Sequence, residues 1–330
     1  MQSNYGNQAN VYEILRRYSS ETPKEAAPRE PVLLAKPENY DILFNTQGLA
    51  LVKGLYGYGK TYGYGLKLYH QARTEKKFDT VYINIRETRL QKGFHEARRD
   101  ILDLLTLICS TDLNGKRGVY LATSTDAIVK ACARTKIVKG DPIEVFREFL
   151  EEVASNATKR LFLVIDELEE VAQLWGRKDR ANVYNIIRNT LLALRPGVMD
   201  KYPYKLTLVY LIQEVLYPTQ EMKDLIKREA ITIPALGRIL ATSADGSIIS
   251  KYNLTSFIMY IDEALNILEK QGIDKSIIDD IRESLFTKGV LSKIENYLVN
   301  MPAFIAFDFI HRILDEAVTD RGSSIEVKLY

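Results

Sequence analysis

Eight consecutive residues, Gly54-Leu55-Tyr56-Gly57-Tyr58-Gly59-Lys60-Thr61, match the spacing G-x-x-x-x-G-K-[ST] in full. Glycines at those positions let a backbone curl until successive N–H groups converge on one anion, the arrangement that cradles phosphate oxygens. The lysine adds a positive charge for the outer phosphates, and the threonine hydroxyl is a Mg²⁺ ligand. A helix starting at this point aims its positive end at the same anion. Gly54, Gly57, Tyr58, Gly59, Lys60, Thr61 and Tyr62 therefore form the expected phosphate-binding set. The pattern runs on as Tyr62-Gly63-Tyr64-Gly65, so a Tyr/Gly-rich stretch without chemical meaning is the competing interpretation.

A second group closes the apolar run 161–165, where Asp166 and Glu167 follow Ile165. An acid pair at the end of a buried strand costs free energy unless something nearby requires it. Asp166 suits the water shell of Mg²⁺, beside Thr61, and Glu167 suits the orientation and activation of an attacking water. The bland alternative is that both acids open a solvated helix, together with Glu169 and Glu170. Asn84, ending the run 81–84, is placed to hydrogen-bond Glu167 and gate it. Gln213, after the run 206–212, is placed to sense a γ-phosphate or position the water. Arg228, in Ile226-Lys227-Arg228-Glu229, is the candidate for reaching a nucleotide on a neighbouring subunit; otherwise it is an exposed helix-end arginine. Glu167, Lys60, Gln213, Asn84 and Arg228 make up the candidate catalytic set.

These residues need a scaffold that delivers them to one place. Runs at 49–52, 81–84, 161–165, 206–212 and 231–233 are short, apolar and rich in β-formers. Strands buried on both faces of a parallel sheet have this composition. Between them, Ala97, Ile101, Leu104, Leu105 and Ile108 recur at helical spacing. So do Ile143, Phe146, Leu150 and Val153, opened by Asp141-Pro142 with Glu144 three residues after the Asp. Strand–helix alternation over 39–236 predicts a doubly wound α/β sheet. From about 237 strand signals stop. Phe257, Ile261, Ala264, Leu265 and Leu268 form a stripe that ends before Gly272, and a last helix carries Ala303, Phe307, Ile310 and Leu314. Residues 237–330 thus read as a helical domain. Pro23, Pro28, Pro31 and Pro37 mark 1–38 as an arm, with one short helix at 11–18.

Composition narrows the class. The 330 residues carry 45 Lys+Arg against 43 Asp+Glu, and 46% are hydrophobic, which excludes global disorder and a uniformly basic coat protein. The balance is uneven along the chain: residues 48–140 hold 17 basic and 8 acidic groups, whereas 141–175 hold 3 and 9. Arg86, Arg89, Lys92, Arg98, Arg99, Lys116-Arg117 and Arg177-Lys178-Asp179-Arg180 offer a surface for duplex DNA, or else a solvated face with salt bridges. Three scattered histidines exclude a histidine-rich metal centre. Cys109 and Cys132 are expected to be small core fillers in a reducing compartment. Neither a secretory signal nor a membrane-length apolar run is visible, so a cytoplasmic protein without membrane partners is expected. Tyr56 and Tyr58 suit stacking on a base or neighbouring subunit, or packing against the loop's own surroundings.

The phosphate loop, Val81-Tyr82-Ile83-Asn84, Ile165-Asp166-Glu167-Leu168 and the stretch Ala306-Phe307-Asp308-Phe309-Ile310 together resemble an AAA+ ATPase, most closely the origin-recognition/initiator clade. The resemblance spans roughly 39–320. It implies a P-loop NTPase fold of the ASCE/AAA+ type, with a parallel sheet of order 5-1-4-3-2 and a C-terminal all-helical lid. It also implies ATP/ADP and Mg²⁺ as cofactors, and slow or partner-stimulated hydrolysis coupled to assembly on DNA or remodelling of a partner. Two departures stand out. Ala303 or Phe304 occupies the place of the family's lid arginine, for which Arg282 or Arg312 would have to substitute. The winged-helix domain usual in that clade has no room before Tyr330. Expected functions are therefore an ATPase switch beside DNA in replication, segregation, transposition or defence, with self-association or a protein partner expected; a non-DNA switch acting on a protein partner; or a structural protein with a retired site.

Overall fold

The structure, a computed structural model, describes residues 10–19, 33–92, 98–110, 119–121, 125–135, 140–194, 198–229, 243–287 and 290–319. The chain divides into two compact units: a sheet unit of residues 39–56 and 64–250, and a helical unit of residues 1–38, 57–63 and 251–330.

The sheet unit is an α/β structure. Its strands are β1 (Gly48–Gly54), β2 (Phe78–Asn84), β3 (Val119–Leu121), β4 (Arg160–Asp166), β5 (Leu206–Gln213) and β6 (Ser247–Ile249), in the order β3-β2-β4-β5-β1-β6. Every pairing is parallel except β2 with β3. Counted in chain order, the five parallel strands lie 2-3-4-1-5, which is 5-1-4-3-2 read from the opposite edge. All seven residues of β1 and six of seven in β4 are buried, which is why those runs carry no polar alternation. Helix Pro142–Asn156 starts as its sequence predicts, with the Asp141 carboxylate accepting from the N–H groups of Ile143 and Glu144. It buries Phe146 and Phe149, each contributing roughly 2–3 kcal/mol by removal from water.

Two expectations about the strands need correction in this unit. Strands do not stop by 237, because Ser247–Ile249 pairs with β1; a three-residue strand beginning with serine is too short to register as an apolar run. The expected strand 231–233 lies outside the described residues. The edge strand β3 is antiparallel and was not expected at all.

The cysteines are the third correction: Cys109 and Cys132 are only half-buried and are bonded to each other, with Cα atoms 5.4 Å apart. The bridge joins helix Ile101–Ser110 to helix Asp126–Arg134 across a 23-residue separation. Closing a loop of that length restricts the unfolded chain, so Cys132→Ser is expected to lose about 3 kcal/mol in denaturant unfolding. A reductant should produce the same loss in the wild type and none in the variant.

The helical unit is built on Leu254–Lys270 and Ala303–Thr319, with Lys275–Arg282 and Val290–Asn300 beside them. Asn253 and Ser256 form a reciprocal capping box at the start of the first. Phe257, Ile261, Leu265, Ile310 and Leu314 are in its core, and Val11, Leu15 and Tyr18 of helix Val11–Tyr18 join the same cluster. The Tyr12 N–H donates to Asp315 at 3.2 Å, and Gln271 donates to the Tyr18 hydroxyl at 2.8 Å. Among the described residues, no helix is long and apolar enough to cross a membrane.

Candidate functional site

Parallel register brings four of the expected residues to one edge of the sheet. Gly54 pairs with Gln213, Asp166 pairs with Leu211, and Asn84 pairs with Asp166. Consequently the last residues of β1, β5, β4 and β2 end at the same side, where parallel α/β sheets gather chemistry.

Asp166 is buried at 1% exposure. The Tyr82 hydroxyl donates to its Oδ2 at 2.7 Å, and the Glu167 N–H donates to Oδ1 at 2.9 Å. Tyr82 reaches it because Gly65 lacks a side chain: a Cβ there would stand 2.6 Å from Tyr82 Cε2. One glycine of the Tyr/Gly run is thus required by the carboxylate's support rather than by phosphate.

Glu167 adopts φ +56°, a left-handed conformation that costs a non-glycine residue on the order of 1 kcal/mol. Its Oε2 is buried with no hydrogen-bond partner among the described residues. Burial, and then the Asp166 charge, raise its pKa. The cation facing it is Arg86, whose Nη1 lies 4.0 Å from Oε1. Asn84, expected in that place, instead accepts from the Glu87 N–H at 3.0 Å and caps helix Ile85–Lys92. Gln213 is half-buried at the end of β5.

Sequence reasoning missed Glu169. It is not the start of a solvated helix; both it and Glu170 are buried, at 1% and 3% exposure. Its Oε2 is buried with no hydrogen-bond partner among the described residues. Burial is the main cause that pushes its pKa up to about 7, reinforced by Asp166 and Glu167. Folding therefore favours the protonated acid: its stabilisation is full below the unfolded value near 4.5 and is lost as pH rises towards 7. Glu169→Gln should remove that dependence. The stability of the variant relative to wild type is expected to grow by on the order of 2–3 kcal/mol between pH 5 and 8 in urea unfolding.

The glycine loop continues from Gly54 by chain connectivity, and its residues 57–63 pack within the helical unit. Gly57 and Gly59 have φ +80° and +79°, where glycine alone sits without penalty. Residues Lys60–Leu66 form a π-helical turn that leads into Lys67–Glu75. Lys60 is half-buried and Thr61 is exposed. Of the loop tyrosines, Tyr56 is 82% exposed, Tyr58 donates to the Asn300 carbonyl at 3.4 Å, and Tyr62 donates to the Leu33 carbonyl. Tyr62 also packs on Phe307, with ring centroids 5.8 Å apart. At the start of the last helix, where the resemblance places an arginine, Phe304 lies against Gly57.

Arg228 is exposed on the last turn of Thr219–Glu229 and donates to the Asp224 carbonyl of its own helix. Arg282 is engaged by Asp262, Asn266 and Asp279, and Arg312 by Asp308. In the basic clusters, Arg177 pairs with Asp179 and Lys178 with Glu170, while Arg98 and Arg99 are exposed. The side chains of Arg89, Lys92, Lys116 and Arg117 lie outside the described residues. Neither comparison with known protein families nor comparison with curated proteins finds a match for this chain.

Proposed function

We propose that this protein is an ATP-binding and ATP-hydrolysing switch of the AAA+ type, converting ATP and water to ADP and phosphate. The observation that carries this is the full G-x-x-x-x-G-K-T loop leaving β1, with Asp166 and Glu167 two strands away at the same end of a parallel sheet. Alone, the acid pair is equally consistent with the start of a solvated helix; beside a full G-x-x-x-x-G-K-T match leaving the same end of the sheet, it is what a phosphoryl-transfer site requires.

The chain's residues fit the cofactor. Two glycines at positive φ suit a phosphate cradle, and the orphaned Glu167 Oε2 is a buried acceptor suited to a water proton. Lys60 would bind the β- and γ-phosphates, with Thr61 and Asp166 holding Mg²⁺. Bound Mg²⁺ supplies neutralisation of charge on the phosphate oxygens. Among the described residues no group of three or more His, Cys, Asp or Glu could hold a metal ion. Mg²⁺ binds through one or two protein ligands plus phosphates and water. Glu167 accepts the proton of the attacking water, and Gln213 orients that water. Asn84 holds the first turn beyond β2, and so places Arg86 opposite Glu167. Arg228 remains the candidate finger for a second copy.

Action beside DNA draws on the exposed Arg98 and Arg99. The ion pairs of Arg177 and Lys178 favour the second reading, a switch that acts on a protein partner. The deciding experiment measures ATP turnover with and without duplex DNA at low salt, alongside mass in solution with and without ATP. Stimulation with assembly supports the first; slow turnover indifferent to DNA supports the second.

A further inference from the structure

Three glycines of the phosphate-binding loop face aromatic or proline side chains of the helical unit. A Cβ on Gly57 would stand 2.9 Å from the Phe304 ring, with Pro302 next to it. A Cβ on Gly59 would stand 2.5 Å from the Tyr252 hydroxyl, and one on Gly63 would collide with the same hydroxyl and with Pro37. Tyr252 is buried at 6% exposure, and its hydroxyl lies 3.5 Å from the Gly59 carbonyl. Its ring is itself braced by Phe307, edge-on with centroids 5.2 Å apart, and by Phe257. Phe304, by contrast, is 54% exposed, a large apolar ring kept at the surface against a glycine.

We propose that Tyr252 and Phe304 are positioning residues for phosphate binding, holding the Gly57–Gly63 backbone in the curl that receives the anion. The inference rests on the nucleotide-binding reading above. Glycine has the widest conformational freedom of any residue, so a glycine-rich loop loses the most entropy when it closes on a ligand. A ring occupying the space where each Cβ would lie blocks the alternative backbone rotations before the ligand arrives. Preorganisation of this kind strengthens binding without touching the ligand. The Tyr58 and Tyr62 hydroxyls, donating to the Asn300 and Leu33 carbonyls, hold the same segment at two further points.

The role has a signature that packing alone would not produce. A preorganised loop favours every phosphate chain equally, whether or not a base is attached. The test is calorimetric binding of Mg-ATP and of Mg-tripolyphosphate to wild type, Phe304→Ala, Tyr252→Phe and Tyr252→Ala, with melting curves for each. Phe304→Ala is the cleaner variant because its ring is half in solvent and its loss leaves the buried cluster filled. It is expected to weaken both ligands by the same factor, about tenfold, at an unchanged melting temperature. Tyr252→Phe retains the ring and should bind within about threefold of wild type, whereas Tyr252→Ala should lose at least as much as Phe304→Ala. A folded Phe304→Ala that binds both ligands like wild type overturns the inference. So does a loss confined to ATP, which would make Phe304 a base-stacking residue. Wild type that binds tripolyphosphate but not ATP would remove the nucleotide reading and leave the positioning role intact; binding of neither removes both.

Discussion

Glu167→Gln should lower ATP turnover by about 10²–10⁴-fold while leaving ATP binding intact. The substitution keeps shape and removes only the capacity to take a proton from water. Glu167 is suited to that task by its surroundings: a buried Oε2 without a partner among the described residues, and a pKa raised by burial beside Asp166. Its backbone is held at φ +56° by a structure that must offset the strain. Single-turnover hydrolysis with a parallel binding titration separates the two effects. Equal loss of binding and turnover would assign Glu167 to holding the nucleotide instead.

The second large effect is on folding. Lys53, the residue before Gly54, forms an ion pair with Asp245 at 2.6 Å, with side chains only 9% and 5% exposed. Asp245 Oδ1 also accepts from Ser243 Oγ, Ser247 Oγ and the Ser247 N–H. The Tyr217 hydroxyl donates to the Asp245 carbonyl at 2.8 Å, and the Lys53 ammonium sits over the Tyr217 ring. Burial alone would push Asp245 up, but the hydrogen bonds from Lys53, Ser247 and Ser243 outweigh it and hold its pKa below the ordinary value. Asp245→Ala leaves an ammonium buried without its counter-ion. A loss of about 3–5 kcal/mol is expected in urea unfolding. Lys53→Met together with Asp245→Ala should recover most of it, because an apolar replacement carries no desolvation cost. The pair also binds β6 to β1, since Lys53 is in register with Ile249. It therefore fixes the strand from which the glycine loop departs.

What the chain shows in one dimension depends on the range of the interaction. β1, β4 and β5 are legible because burial on both faces removes polar residues from the run itself. The start of Pro142–Asn156 is legible because Asp141, the residue before it, caps the N–H groups two and three residues on. β6 is not, since it owes its pairing to the buried charge of Asp245 meeting Lys53, 192 residues earlier. Glu169 reads as a polar helix start, and is buried only because the end of β5 arrives beside it. The Tyr/Gly run has its explanation in rings remote in sequence: Tyr82 beside Gly65, and Tyr252 beside Gly59 and Gly63. No local pattern encodes such contacts. The cysteine pairing was hidden for the same reason, because two cysteines 23 residues apart carry no sign of whether their helices meet.

Nucleotide binding by the glycine loop is the property on which the proposed ATPase activity depends. Calorimetric titration of Mg-ATP into wild type and Lys60→Ala addresses this. One saturable site per chain is predicted for wild type, weakened roughly 10- to 100-fold in Lys60→Ala by loss of a charged hydrogen-bond donor to the phosphates. Absence of saturable binding to wild type, or equal binding to both proteins, would contradict it.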